Sequence, residues 1–535
     1  MRREIAGLDW SGDRMIPAFQ APGHLAVYDL RGATRDTLLT ATTMAGLINR
    51  PRPEVYLVTS NDDAFWLSQA FGSVPQERAF VSGDEALSGL LATYGDAMQG
   101  GIIYDPNLVD TINIATMLAA QRDGVVVSPE QAADLQLPVL ADLRTYGWKN
   151  RLQVYRWALE NLRSGSSDRM VAGLDARNVV GLRSFLVATR TFIYWLDSRS
   201  HLPNIKQGWL SEHMLMRRIL HTYPPLATHL GWFIDESSGV KLTSQAAMAV
   251  LASDHFTNLE VWAAVQPQKI AISDAVIEVP EPANKIYVSF TMSDGDNLQY
   301  CQHHLLRLWH DAARGSLPIG WTFSPVLLQA APAMAAYYMR TMTPNDELIA
   351  GPSGAGYMFP SHWPADHLTP FLQRTGQMMQ AMGMKSLQVL DIGFWQSSGL
   401  PFAFVFSLAG MVFADSQRQL RYAQELAPFG LWGILSGAGR KAFSCKNVEG
   451  MPLYQNLGLA GSVEQTVRLI KRMASTHRQR PLFLNVYMLA WSITPSDLKR
   501  VVEQLGDGYE IVLPNTLLFQ SRKRVEVTTI SHHSL

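Results

Sequence analysis

Apolar and polar positions change rhythm part-way along this chain. From Lys285 onward, short apolar runs recur at 285–293, 319–323, 347–351, 386–390, 410–414, 431–435, 481–487 and 509–513. Most are separated by stretches with apolar residues every three or four positions, at 298–313, 327–341, 365–382, 416–427, 463–476 and 495–505. Continuous apolar runs of this length read as strands covered on both faces, and the three-to-four spacing reads as amphipathic helix. Their alternation argues for a parallel sheet, and about eight repeats argue for a TIM-type (β/α) barrel. The link between the fourth and fifth runs is a poor helix and little chain follows the eighth, so the expected barrel is irregular.

The first half alternates less regularly. Runs at 24–30, 54–59, 101–105 and 124–128 read as buried strands, with helices expected at 35–48 and 63–71. From about Trp148 to His221 the spacing becomes helical. The expected architecture is an N-terminal α/β domain with a helical insertion. Two prolines in the VPEPAN segment at 279–284 remove backbone donors and disfavour helix, marking a linker. A length of 535 residues exceeds what one core usually supports, so two domains are expected, 1–278 and 285–535.

Charge and composition narrow the function. A formal net charge of -1 gives no field to recruit nucleic acid or an anionic membrane. The longest apolar candidate, 400–413, is too short to span a bilayer. The N-terminal residues lack the apolar core of a signal peptide, so a cytoplasmic location is the default expectation. Two cysteines, Cys301 and Cys445, make neither a disulfide framework nor a zinc site, and are expected as thiols. His303 and His304 are adjacent and diverge on a helix, while His362 and His367 lie outside any HExxH pattern. No metal centre or other cofactor is expected, although Asp294 and Asp296 offer oxygen ligands suited to calcium or magnesium. Phosphate-binding loops and a serine-nucleophile elbow are also missing.

Polar residues concentrate where the predicted strands of the second half end. The first run leads into Ser293-Asp294-Gly295-Asp296-Asn297, the fourth into Asp391 and the fifth into Asp415. The seventh carries Asn485 and Tyr487. Strand ends of a barrel share one rim, where barrel enzymes keep their chemistry. Several carboxylates on one rim point to acid/base catalysis. Trp321, Tyr357, Trp363, Trp395, Tyr487 and Trp491 fall near the same rim, and aromatic faces suit the C–H faces of sugars. Each has a plainer reading: Asp415 as a helix cap, SDGDN as a capped turn, and most tryptophans as core.

Gly354-Ala355-Gly356-Tyr357-Met358-Phe359-Pro360 resembles the motif of the GxGYxYP family, a group described as putative glycoside hydrolases. The SDGDN segment, Thr43 to Arg50, Gly231-Trp232, Asp235-Glu236, Ser253-Asp254 and Asn258-Leu259 also look like family segments, so the likeness spans nearly the whole chain. Phe359 departs from the motif's tyrosine. The resemblance implies an oligo- or polysaccharide substrate and is associated with exported sugar processing, which sets it against the default location above.

Roles for individual residues come from chemistry. Glycoside hydrolysis generally uses two carboxyl groups, about 5–5.5 Å apart for retention and about 6.5–9.5 Å for inversion. The expected set is Asp296 as base or nucleophile, Asp391 as acid and Asp294 as orienting group. Glu236 of the first half is a further candidate. Asn297, Tyr357, Trp321, Trp395, Asn485, Tyr487 and Asp415 are expected to line the substrate site. Non-catalytic carbohydrate binding and metal-dependent carbohydrate deacetylation are the alternatives.

Overall fold

A computed structural model describes residues 7–50, 52–200, 210–265, 281–392, 410–438 and 443–522. The chain forms two compact units. Unit 1 comprises 1–269 together with 327–338, and unit 2 comprises 270–326 with 339–535. The segment 327–338, expected to belong with the barrel, thus groups with the first half. Its Tyr337 and Tyr338 rings pack on Trp66 at 5.1 and 5.9 Å, and Gln329 Oε1 accepts from the Met15 N–H at 2.8 Å. The expected linker overlaps 266–280, outside the described residues.

Among the described residues, unit 1 contains three small parallel sheets. Strands Leu25–Asp29 (β1), Val55–Val58 (β2) and Gln76–Ser82 (β3) pair in the order β2-β1-β3. Gly101–Ile103 (β4), Val125–Val127 (β5) and Val139–Asp142 (β6) pair as β5-β4-β6. Met170–Gly173 (β7), Phe192–Tyr194 (β8), Thr228–Gly231 (β9) and Val250–Leu251 (β10) pair as β10-β9-β7-β8. The helix Arg35–Ile48 starts on a Thr34 cap and is buried along most of its length. Its Met44 and Ala45 join Leu57, Val127 and Val187 in one apolar cluster. The Asn258 carboxamide donates to and accepts from the Leu57 backbone, both at 3.0 Å, and so satisfies an edge of β2. The expected helical insertion at 148–221 is corrected: it contains β7 and β8. Strands of three and four residues, buried throughout, are too short to show a period of two.

Unit 2 is built on one curled sheet. Its strands are Ile286–Met292 (β11), Ile319–Phe323 (β12), Asp346–Ala350 (β13), Ser386–Val389 (β14) and Gly433–Ser436 (β15). Ser444–Val448 (β16), Met451–Gln455 (β17), Leu457–Ala460 (β18), Leu482–Met488 (β19) and Tyr509–Ile511 (β20) complete it. The order is β16-β17-β15-β14-β13-β12-β11-β19-β18, and β20 pairs with the first half of β11. All pairs are parallel except the β16–β17 hairpin. The stretch Met451–Ala460 pairs with β15 through β17 and with β19 through β18.

The sheet is a curled half-barrel, and the expected eight-stranded TIM barrel is not what it shows. The predicted strand at 410–414 does not form, because Gly410 and Met411 take φ of 66° and 48°, outside the extended region. Tyr287, Ile349, Leu435, Tyr454 and Phe483, drawn from five strands, meet on the concave face with Val512, Leu517 and Leu518. No helix among the described residues is long and apolar enough to cross a membrane.

Candidate functional site

The parallel strands of unit 2 deliver polar side chains to their C-terminal ends. After β11 the chain folds back over the end of β12: the Gly295 N–H donates to Thr322 Oγ1 at 3.0 Å, and its carbonyl accepts from the Ser324 N–H at 2.8 Å. A Cβ on Gly295 would stand 1.5 Å from the Thr322 carbonyl oxygen, so only glycine allows this approach. Asp294 takes φ of 72°, a left-handed conformation uncommon outside glycine. The loop leaves Asp294 half-buried and Asp296 buried. Asn297 accepts from the Tyr300 N–H at 3.0 Å and caps the helix Leu298–Gln302.

Asp294 accepts a hydrogen bond from Ser293 Oγ, and the Trp491 side chain lies beside it. Ser293 Oγ also accepts from the Ala490 N–H at 3.1 Å. Burial pushes the Asp294 pKa up, against the neighbouring Ser293, Trp491 and His304 side chains, which hold it down. Trp491 stacks on His304, ring centroids 4.6 Å apart and planes at 27°, and meets Tyr300 edge-on at 5.4 Å. The His304 Nε2 lies 2.9 Å from the Ala490 carbonyl, which only accepts, so Nε2 carries a proton. The buried Tyr300 hydroxyl and Ser324 Oγ have no hydrogen-bond partner among the described residues.

Asp391 follows β14 and has no exposed surface. Its backbone N–H donates to the Met411 carbonyl at 3.0 Å. Its carboxyl accepts from the Ser361 N–H at 3.1 Å and from Ser361 Oγ at 2.5 Å. Burial pushes its pKa up to about 7, with Asp415 adding to the rise and the Ser361 hydrogen bonds opposing it.

The glycine-rich segment after β13 brings Ser361 to that carboxyl. Gly351 takes φ of 126°, and a Cβ there would lie 2.4 Å from the Gln388 carbonyl oxygen on β14. The Ser353 N–H donates to that same oxygen at 2.7 Å, and Ser353 Oγ donates to the Leu390 carbonyl at 3.0 Å. Tyr422 Oη donates to the Ser353 carbonyl at 2.9 Å, and the Ala355 N–H donates to Thr375 Oγ1 at 2.9 Å. The loop is thus laid on the end of β14, and Ser361 follows from it.

The structure places the other sequence candidates as follows. Tyr357 is buried, edge-on to Phe359 at 5.6 Å. Trp321 is fully buried: its indole donates to Asp346 Oδ1 at 2.9 Å and packs on Trp309 at 5.4 Å, at the strand-start end of β13 rather than at the rim. Asp415 caps the helix Ser416–Leu426, accepting from the Gln417 and Arg418 N–H groups at 3.0 and 3.1 Å. Tyr487 is buried on β19. Glu236 belongs to unit 1, in the first turn of the helix Glu236–Gln245. Trp395 lies outside the described residues.

Asn485 sits inside a chain of amides across the concave face. It accepts from Ser289 Oγ at 2.6 Å and Thr291 Oγ1 at 3.0 Å, and donates to Asn456 Oδ1 at 2.7 Å. Asn456 donates in turn to Gln388 Oε1 at 2.8 Å. Below this layer Glu347 is buried, accepts from the Asn515 N–H at 2.8 Å, and is pushed by burial up to about 7.

The loop after β11 brings Asp294 and Asp296 together, and Asp391 stands three strands along the same sheet. Sequence reasoning missed Ser361, although it directly follows the motif's proline, and weighed His304 only as a metal ligand. Cys301 and Cys445 form no disulfide. Among the described residues, no three or more His, Cys, Asp or Glu side chains form a group able to hold a metal ion.

Four family models match this chain. They are the GxGYxYP_N 1st domain at 24–76, the GxGYxYP_N second domain at 98–166, the GxGYxYP third domain at 168–264, and the GxGYxYP putative glycoside hydrolase C-terminal domain at 284–521. The second and third of these ranges each hold one small sheet of unit 1, and the first holds β1 and β2. Among solved structures, a putative hydrolase from Bacteroides thetaiotaomicron VPI-5482 is similar, with a TM-score of 0.78 and 20% identity over 97% of this chain and 99% of that one. At that identity the likeness is one of fold. A putative polysaccharide deacetylase from Mycobacterium smegmatis aligns at a TM-score of 0.30 and 10% identity, over 48% of this chain and 96% of that one, too weakly to carry an argument. No curated protein matches the sequence.

Proposed function

The chain belongs to the GxGYxYP family, and from that premise we propose that it hydrolyses glycosidic bonds with carboxyl groups at the strand-end rim of unit 2. Asp391 is the general acid, Asp296 the base or nucleophile, and Asp294 orients a substrate hydroxyl.

The observation that carries this reading is the Asp391 carboxyl, pushed up to about 7 by burial at the end of a parallel strand. A general acid must hold its proton at working pH, and an ordinary aspartate does not.

The test uses the full chain and a panel of plant and bacterial glycans, following reducing-end release. Wild type is expected to release sugar, with Asp391→Asn and Asp296→Asn lowering turnover at least about a hundredfold while the far-ultraviolet circular dichroism stays unchanged. Unaltered turnover in both variants would remove these assignments.

A second reading, carbohydrate binding without turnover, draws on one specific observation. Asp391 has no exposed surface and is held at both oxygens by Ser361, as suits a group fastening the glycine-rich loop. In that case the panel gives binding and no product.

A further inference from the structure

Resting on the carbohydrate reading above, we propose that Trp491 is the stacking platform for a neutral pyranose unit, and that His304 is the positioning residue that holds it. Trp491 is 50% exposed, whereas Trp321 and Trp363 are buried. Exposure of a single apolar side chain is ordinary; what sets Trp491 apart is how its ring is fixed.

The ring is also held from three sides. The His304 imidazole covers one face at 4.6 Å, Tyr300 meets it edge-on at 5.4 Å, and Asp294 lies beside its side chain. His304 is itself fixed by its bond to the Ala490 carbonyl at 2.9 Å, next to Trp491 in the chain. The exposed area therefore belongs to the face opposite His304. A ring already fixed loses little freedom when a ligand stacks on it, so most of the contact energy appears as affinity.

The surroundings select the ligand. An apolar ring face matches the C–H face of a pyranose, and the same geometry places Asp294 at the ring's edge to accept from a sugar hydroxyl. The buried hydroxyl of Tyr300, whose ring meets Trp491 edge-on, has no partner among the described residues. A carboxylate beside the platform disfavours uronic acids, because two like charges would meet at close range. The ligand class is accordingly a neutral oligosaccharide.

The experiment titrates the full chain with cellohexaose, xylohexaose, laminarihexaose, mannohexaose, maltohexaose and hexagalacturonate, following tryptophan fluorescence and, in parallel, product release. At least one neutral hexasaccharide is expected to bind and change the emission, and hexagalacturonate is not. Trp491→Ala should weaken that binding about tenfold and Trp491→Phe much less. His304→Ala should show its loss in KM rather than kcat, and His304→Phe, which keeps a ring under the indole, should restore it. A general loss of folding would not produce that split or that rescue. Failure of every neutral sugar to bind, or equal affinity of wild type and Trp491→Ala, overturns the platform. If Trp491→Ala weakens binding while wild type releases no product, the platform stands and the hydrolytic reading falls. If product forms equally from wild type and Trp491→Ala at low substrate, hydrolysis stands and the platform falls.

Discussion

Replacing Asp391 by asparagine should make the protein more stable in alkaline solution while stopping its proposed chemistry. The carboxyl holds its proton to about pH 7 in the folded chain, against 3.8 as the reference value. Between those values the folded state binds more protons than the unfolded one, so stability falls as pH rises. The contribution is fully present below pH about 4 and fully lost above pH about 7. A separation of about three pH decades, at about 1.4 kcal/mol each, makes the loss about 4 kcal/mol. Asparagine has nearly the same shape and can accept from the Ser361 N–H, but it cannot ionise. Equilibrium urea unfolding of wild type and Asp391→Asn at pH about 4.5 and about 8.5 measures the effect. The difference between the two proteins should shift in favour of the variant by about 3 kcal/mol from the lower to the higher pH, since pH 4.5 already lies above the unfolded value. Glu347 and Asp294, whose pKa values are also raised, are present in both proteins and cancel in the difference. A difference independent of pH would refute the burial argument.

Three further outcomes are expected. Ser361→Ala removes a hydrogen bond that favours the ionised form of Asp391, so the alkaline limb of the kcat/KM profile should move to higher pH; a limb that stays or moves down contradicts the acid assignment. Gly295→Ala drives a Cβ into the Thr322 carbonyl, and thermal unfolding should show a loss of about 3 kcal/mol or more, whereas an unchanged midpoint would mean the loop does not lie on β12. Asn485→Ala strands the hydroxyls of Ser289 and Thr291 and the amide of Asn456, at a cost of about 2–4 kcal/mol by denaturant unfolding; a loss below about 0.5 kcal/mol would show that the amide chain is not closed.

What the sequence made legible follows from burial. β11, β12, β13, β14 and β19 are covered on both faces, so they stand out as apolar runs, and the polar residues that follow them mark the strand ends. The run at 410–414 is as apolar as a strand, but what it covers is the ends of β14 and β15: Met411 accepts from Asp391, and the Phe413 N–H donates to Ser436 Oγ at 3.0 Å. Apolarity reports burial, and burial does not require extended pairing. β16 was invisible because its residues are mostly exposed and polar, and β17 because it carries Pro452, which argues against a strand interior.

The site was legible only at the level of the backbone. The carboxylates after β11 and β14 could be placed at the rim, since the strand ends fix it. Which way a strand residue faces could not be read. Trp321 turns outward to Asp346, and Asn485 turns inward to other amides, because both strands are apolar on both sides and show no alternation to reveal a face. Ser361 sits in a single 3-10 turn, Pro360–His362, and Trp491 on a loop, both too short for a period to read.

The pairing of β11 with β19 also sets a timetable. Ile286 is matched to Leu482 and Met292 to Met488, so one edge of β11 waits for nearly two hundred further residues to be made. At about 5–20 residues per second, a ribosome needs on the order of 10–40 s to supply them. Through that interval a fully apolar strand with an unpaired edge is present on the nascent chain, open to pairing with other chains. Its partners on that half of the sheet, β19 and β20, are among the last strands to emerge, so the length of this chain that a cell obtains in folded form should depend on how fast it is translated and on which chaperones meet it first.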